Sequence, residues 1–174
     1  MDDDDRSQSS GEAGDSVFAG AGTVVDVIDS TGFVTGEEIE ALRSRTRVCL
    51  EHLGASGEVS VRVVGDGEMA SLHGRYSNEP GTTDVLTFDY GSGAGRLDTD
   101  IVVCLDVATR ESSARGHSRL DELTLYVLHG LMHCVGFDDH DEGEYRRMHE
   151  AEDAILESMG LGRVFSRSLG DERR

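Results

Sequence analysis

A chain of 174 residues, 37% of them apolar, suits one domain with a core of its own. No apolar run approaches the ~18 residues needed to cross a bilayer, which argues against a helical membrane protein. The formal charge of −19 opposes nonspecific attachment to a polyphosphate, so neither DNA nor a membrane is an expected partner.

The acidity is uneven. The opening Met1-Asp-Asp-Asp-Asp-Arg-Ser-Gln lacks the basic start and apolar stretch of a signal peptide, and a cytoplasmic protein is expected. Residues 1–21 offer almost nothing to bury and read as a disordered acidic tail. Residues 168–174 read as a second, flexible tail, leaving one domain over 22–167. Residues 138–157 carry nine acids against Arg146 and Arg147, the composition of a solvated helix or of one that docks a basic partner. Arg43, Arg45, Arg47, Arg62, Arg75 and Arg96 are either scattered surface charges or the makings of a local basic groove. Cys49, Cys104 and Cys134 are an odd number without CxxC spacing, which fits reduced, buried thiols.

Thr23-Val-Val-Asp-Val-Ile28 is the first strand signal. Thr35-Gly-Glu-Glu38 is a capping box opening a helix through about Leu53, closed by Gly54. Glu58 to Val64 alternates as a half-buried strand does, and a short helix follows over about Gly67 to Tyr76. Ser77-Asn-Glu-Pro-Gly81 is a turn. Asp84 to Phe88 and Asp100 to Leu105 read as strands separated by the Gly91–Gly95 loop, and Asp106 is placed to cap a helix to Arg115. Ser118 opens a largely apolar helix that Gly136 ends, and Asp141 caps a last helix to Met159. The expected fold is α+β, a single domain with about four strands in one mixed sheet covered by helices.

The chemistry concentrates in Leu128-His-Gly-Leu-Met-His-Cys-Val-Gly-Phe-Asp-Asp-His140. Residues four apart on a helix lie only ~40° apart around it and ~6 Å along it, so His129 and His133 can aim at one point. Gly136 permits the left-handed turn that reverses the chain and brings His140 back toward that point. Three neutral imidazoles with a fourth position open are the donor set of a catalytic zinc, here one Zn²⁺ per chain on His129, His133 and His140. Cys134 points roughly 100° away from His133 and is read as a buried thiol. His52, His73, His117 and His149 are read as surface or packing residues. The string also resembles the zinc-peptidase pattern HExxHxxGxxH, but Gly130 stands where that motif carries its general base, which disfavours peptidase chemistry.

The same string is similar to the HGxLHLxGYDH signature of the YbeY family of bacterial endoribonucleases. Thr83-Asp-Val-Leu-Thr-Phe88 resembles that family's TDVLSF strand, and Asp100-Ile-Val-Val resembles its GDIVI strand. Val61 to Glu68 fits the strand entering its short helix, and the matches keep order from about Val24 to Phe165. The resemblance implies a zincin-like three-histidine site and cleavage of single-stranded RNA. It also implies a role in small-subunit rRNA 3′-end processing and ribosome quality control, with ribosomal RNA and the small subunit or its proteins as partners. Two departures stand out. Asp138 and Asp139 both precede His140 where the family has one aspartate, and Ser77 stands where it has an arginine. Arg75, two residues earlier, is the candidate catalytic cation in its place. Asp138, Asp139 and Glu122 are carboxylates within sequence reach of the histidines. The competing reading is a ribosome-assembly or interaction factor in which the metal is mainly structural.

Overall fold

The computed structural model describes residues 22–165, so the expected tails at 1–21 and 168–174 lie outside the described residues. The chain runs β1 (Val24–Asp29), α1 (Gly36–His52), β2 (Ser56–Val64), α2 (Asp66–Tyr76), β3 (Val85–Asp89) and β4 (Arg96–Cys104). Three helices follow: α3 (Leu105–Arg115), α4 (Arg119–Cys134) and α5 (Glu142–Ser158). One mixed sheet has the order β1-β2-β4-β3, with β1, β2 and β4 parallel and β3 antiparallel at the edge beside β4.

Alternation on β2 sends Val59, Val61 and Val63 to one face of the sheet, where they are buried against α1 and α4. Leu42 and Leu50 of α1, Ile101 and Val103 of β4, and Leu128, Leu131 and Met132 of α4 complete that core. Each such side chain taken out of water contributes about 1.5–3 kcal/mol before entropy is counted. A smaller cluster of Val64, Met69, Val102 and Cys104 sits on the other face, under α2. Cys49 and Cys104 are buried free thiols and Cys134 is half-buried. Among the described residues no helix is long and apolar enough to cross a membrane.

The expected capping box of Thr35 with Glu38 forms, and Ser118, expected to open α4, makes a second one with Asp121, so the start of each helix is set locally. Two expectations change. β4 begins at Arg96 and not at Asp100, because Arg96 to Thr99 pair with Ser56 to Val59 of β2. Asp106 does not cap α3, whose N-cap is Cys104. Its Oδ2 instead accepts from the Asp66 amide at 2.7 Å, satisfying the first turn of α2 from across the fold.

Candidate metal centre

Helix α4 is buried almost all round, and its exposed window is the face that carries the histidines. The side chains of His129 and His133 are 22% and 33% exposed, with their Nε2 atoms 3.1 Å apart. Each imidazole is held from behind. His129 Nδ1 lies 2.7 Å from Glu152 Oε1, and His133 Nδ1 donates to the Phe137 carbonyl at 3.2 Å. The second contact follows from the turn at Gly136 (φ 96°), where the Phe137 amide bonds back to the Met132 carbonyl.

Glu152 is fully buried, and its Oε2 accepts from His149 Nδ1 at 2.5 Å. Burial pushes this carboxyl up, but hydrogen bonds from His129 and His149 outweigh it and leave the pKa below its ordinary value. Burial likewise lowers His129, and the Glu152 hydrogen bond and charge reverse that, for a net rise. An ionised Glu152 places the His129 proton on Nδ1, and the Phe137 carbonyl places that of His133 on Nδ1. The two Nε2 atoms then face each other at 3.1 Å, repulsive as bare lone pairs and relieved either by a proton shared between them or by a metal ion. The donor set fits a metal ion, with Glu152 in the orienting position that ligand histidines commonly use.

A third donor comes from the loop after α4. Asp139 Oδ2 lies 4.0 Å from His129 Nε2 and 3.9 Å from His133 Nε2, so His129, His133 and Asp139 form a group able to hold a metal. The structure does not bring His140 into that group. Its side chain is 85% exposed, with Nδ1 hydrogen-bonded to Asp138 of its own loop.

The other sequence candidates separate. Arg75 is exposed at the end of α2, its guanidinium 5.8 Å from the Tyr76 ring centroid, and it does not line the cavity beside His129. Glu122 is fully buried, held by Arg115 at 2.7 Å and lying 3.0 Å from His117, so it braces the α3–α4 corner. His52 meets Ser158 and His73 meets the Gly81 carbonyl, as surface and packing residues do. The cavity beside His129 measures about 460 Å³, and its cations are Arg110 and Arg115. Of the six arginines read as a possible groove, Arg43, Arg45, Arg62 and Arg96 are engaged with acids on the surface.

The sequence alone gives Glu152 and His149 no place in the site, because Glu152 falls within a run of nine acids and His149 lacks ligand spacing to the other histidines. The signal was present: Met148, Glu152 and Leu156 fall at i, i+4 and i+8, which puts a glutamate on the buried stripe of α5.

The family model described as endoribonuclease YbeY matches residues 33–160. An endoribonuclease YbeY of Thermobifida fusca is 35% identical over 159 residues, covering 86% of this chain and 99% of the relative. One from Acidothermus cellulolyticus is 36% identical over 129 residues, covering 67% and 79%. The solution structure of TM1509 from Thermotoga maritima superposes with a TM-score of 0.53 at 18% identity, covering 87% of this chain and 97% of that one. That likeness shows the fold, and the sequence relatives show the lineage: the chain belongs to the endoribonuclease YbeY family.

Proposed function

We propose that the protein is a metal-dependent, single-strand-specific endoribonuclease acting in small-subunit rRNA 3′-end maturation and ribosome quality control in the cytoplasm. In this reading its partners are ribosomal RNA and the small ribosomal subunit. The observation that carries the reading is the pair of imidazoles oriented with both Nε2 lone pairs toward one point, each fixed by an acceptor at Nδ1. Family membership supplies the substrate class.

One Zn²⁺ is assigned to His129, His133 and His140. His140 is assigned on its match to the family's third histidine; in this structure it is exposed and bonded within its own loop, so ligation requires that loop to swing inward. Asp139 is the nearer donor in this structure and competes for the same role. When bound, the ion acts as a Lewis acid toward a phosphoryl oxygen and lowers the pKa of water. The chain's own residues do the rest. Glu152 fixes the tautomer and orientation of His129 from a position sealed off from solvent. The Phe137 carbonyl does the same for His133. Arg75 is assigned to the RNA phosphate at the exposed end of α2, beside Ser77.

The test pairs metal content with cleavage. About one zinc per chain is expected in wild type. His129→Ala/His133→Ala should lose it with the fold retained, and His140→Ala should lose more metal than Asp139→Asn. Zinc-loaded wild type should cut single-stranded RNA, and a folded His133→Ala protein should not. Loss of metal with cleavage unchanged would favour an assembly factor with a structural ion and a contaminating nuclease.

A further inference from the structure

The face of the sheet turned away from α4 holds a second recess, of about 260 Å³, that the metal site does not use. In the strand register Ser60, Asp100 and Phe88 form one row across β2, β4 and β3. Arg62 stands on the same face, paired with Val102 in the next row. Above them rise two aromatic rings with little cover, Tyr76 at 58% exposure and Tyr90 at 62%. Tyr76 meets Phe88 edge-on with ring centroids 4.9 Å apart, which fixes its plane. Tyr90 is tethered through its hydroxyl, which donates to Asp100 Oδ2 at 3.1 Å.

Large aromatics standing free on an open sheet face are costly to hydrate and are the usual stacking platform for unpaired bases. The polar groups between them select what stacks. A carboxylate in the recess disfavours a phosphate there, whereas a base edge with two adjacent N–H donors suits it. Guanine presents N1–H and the N2 amino group side by side, and its O6 and N7 acceptors suit a guanidinium such as Arg62, whose Nη2 pairs with Glu68 at 3.2 Å and whose remaining N–H groups are left to donate. Adenine offers one amino donor flanked by the N1 lone pair, which would face the carboxylate unfavourably. The recess also has a path to the histidines. β3 is the edge strand, and while Phe88 faces the recess, Thr87 on the opposite face touches α4 at Gly130, the neighbour of His129.

We propose that the recess bounded by Arg62, Tyr76, Tyr90 and Asp100 is a subsite for one unpaired base of the RNA, with guanine preferred. The inference rests on the endoribonuclease reading and extends it: a single strand crosses the β3 edge, one base stacked on this face and the backbone continuing to the histidine face.

The test titrates GMP and AMP into chelator-treated protein by calorimetry, so that no metal holds the phosphate. Wild type should bind GMP in preference to AMP. Tyr90→Ala should weaken GMP binding about tenfold, the loss of one stacking contact. Asp100→Asn should erase the preference, since an amide presents a donor as well as an acceptor to the base edge. Tyr90 is exposed and Asp100→Asn is isosteric, so both variants should fold, with circular dichroism as the check. Equal binding of the two nucleotides, no binding at millimolar concentration, or variants that behave as wild type would each overturn the subsite. RNA cleavage by zinc-loaded wild type is scored separately. Cleavage without GMP preference removes the subsite alone, while absence of cleavage removes the endoribonuclease reading.

Discussion

Gly130 shows how little room the helix register leaves beside the histidines. A Cβ built there would sit 2.7 Å from Thr87 Oγ1 and 3.4 Å from two carbons of Ile101. The position faces β3 and β4, so it is packed against the sheet and not aimed at the metal centre. A peptidase-type glutamate at 130 would have to push aside the side chains of Thr87 and Ile101, which gives a steric reason for the break from the HExxH pattern. Alanine gains up to about 1 kcal/mol of helix propensity over glycine, while overpacking costs about 1–3 kcal/mol. Gly130→Ala should therefore destabilise the fold by up to about 2 kcal/mol in urea unfolding. The same change in a Thr87→Ala background should cost much less, because the 2.7 Å contact is gone. Equal costs in the two backgrounds would mean that the strain lies elsewhere.

At the scale of elements, α1 and α4 are tied at their starts by one carboxylate. Glu38 completes the α1 capping box and receives a two-pronged contact from Arg119 of α4, Nε and Nη2 each 2.8 Å from a carboxylate oxygen. Arg119 also donates to the Phe33 carbonyl at 3.0 Å. The Arg119 hydrogen bonds are the leading cause holding the Glu38 pKa near 2, against an ordinary 4.5, with burial opposing. A depressed carboxylate stabilises the fold fully above its unfolded pKa, and that stabilisation is lost as pH falls from about 4.5 through about 2. The pair is partly exposed, so screening reduces its contribution to on the order of 1–2 kcal/mol. The Tm gap between wild type and Glu38→Gln should be widest near neutrality and close over that acid window; a gap constant in pH would contradict this. The same elements show what was legible in the sequence. Both capping boxes, the four strands and the i, i+4 histidines can be read locally, because a cap or a helix face is a property of a few neighbouring residues. The start of β4 at Arg96 could not be read, since it is set by pairing with β2 some forty residues away. Nor could the redirection of Asp106 to α2 or the joining of Glu152 to His129, which depend on how helices pack. His140 lies between these cases: its spacing suggests a ligand, but a loop of successive acids settles its conformation by local hydrogen bonds to Asp138.

For the whole molecule, the formal charge of −19 bears on how an RNA can be held. A protein that grips nucleic acid by its phosphates displays unpaired lysines and arginines, and this one has 16 basic residues against 35 acidic. The two arginines in the cavity beside His129 are already engaged, Arg110 with Asp66 at 2.6 Å and Arg115 with Glu111 and the buried Glu122. If RNA is held as proposed, Arg75 leads the few phosphate contacts, and stacking supplies more of the binding free energy. A grip on about 6–10 phosphates loses about 10³–10⁵ in affinity between about 50 and about 200 mM salt. Here the expected loss over that range is less than about tenfold, because few counterions are released and salt also screens the repulsion between an acidic protein and RNA. Fluorescence anisotropy of a labelled single-stranded oligoribonucleotide, with His133→Ala protein, which is expected to bind without cutting, measures this directly. A steep slope would show a cationic track formed only in the complex, with Arg110 and Arg115 leaving their carboxylates to meet phosphate. In that case Asp66→Asn, by releasing Arg110, should tighten RNA binding; under the shallow-slope picture it should leave binding nearly unchanged.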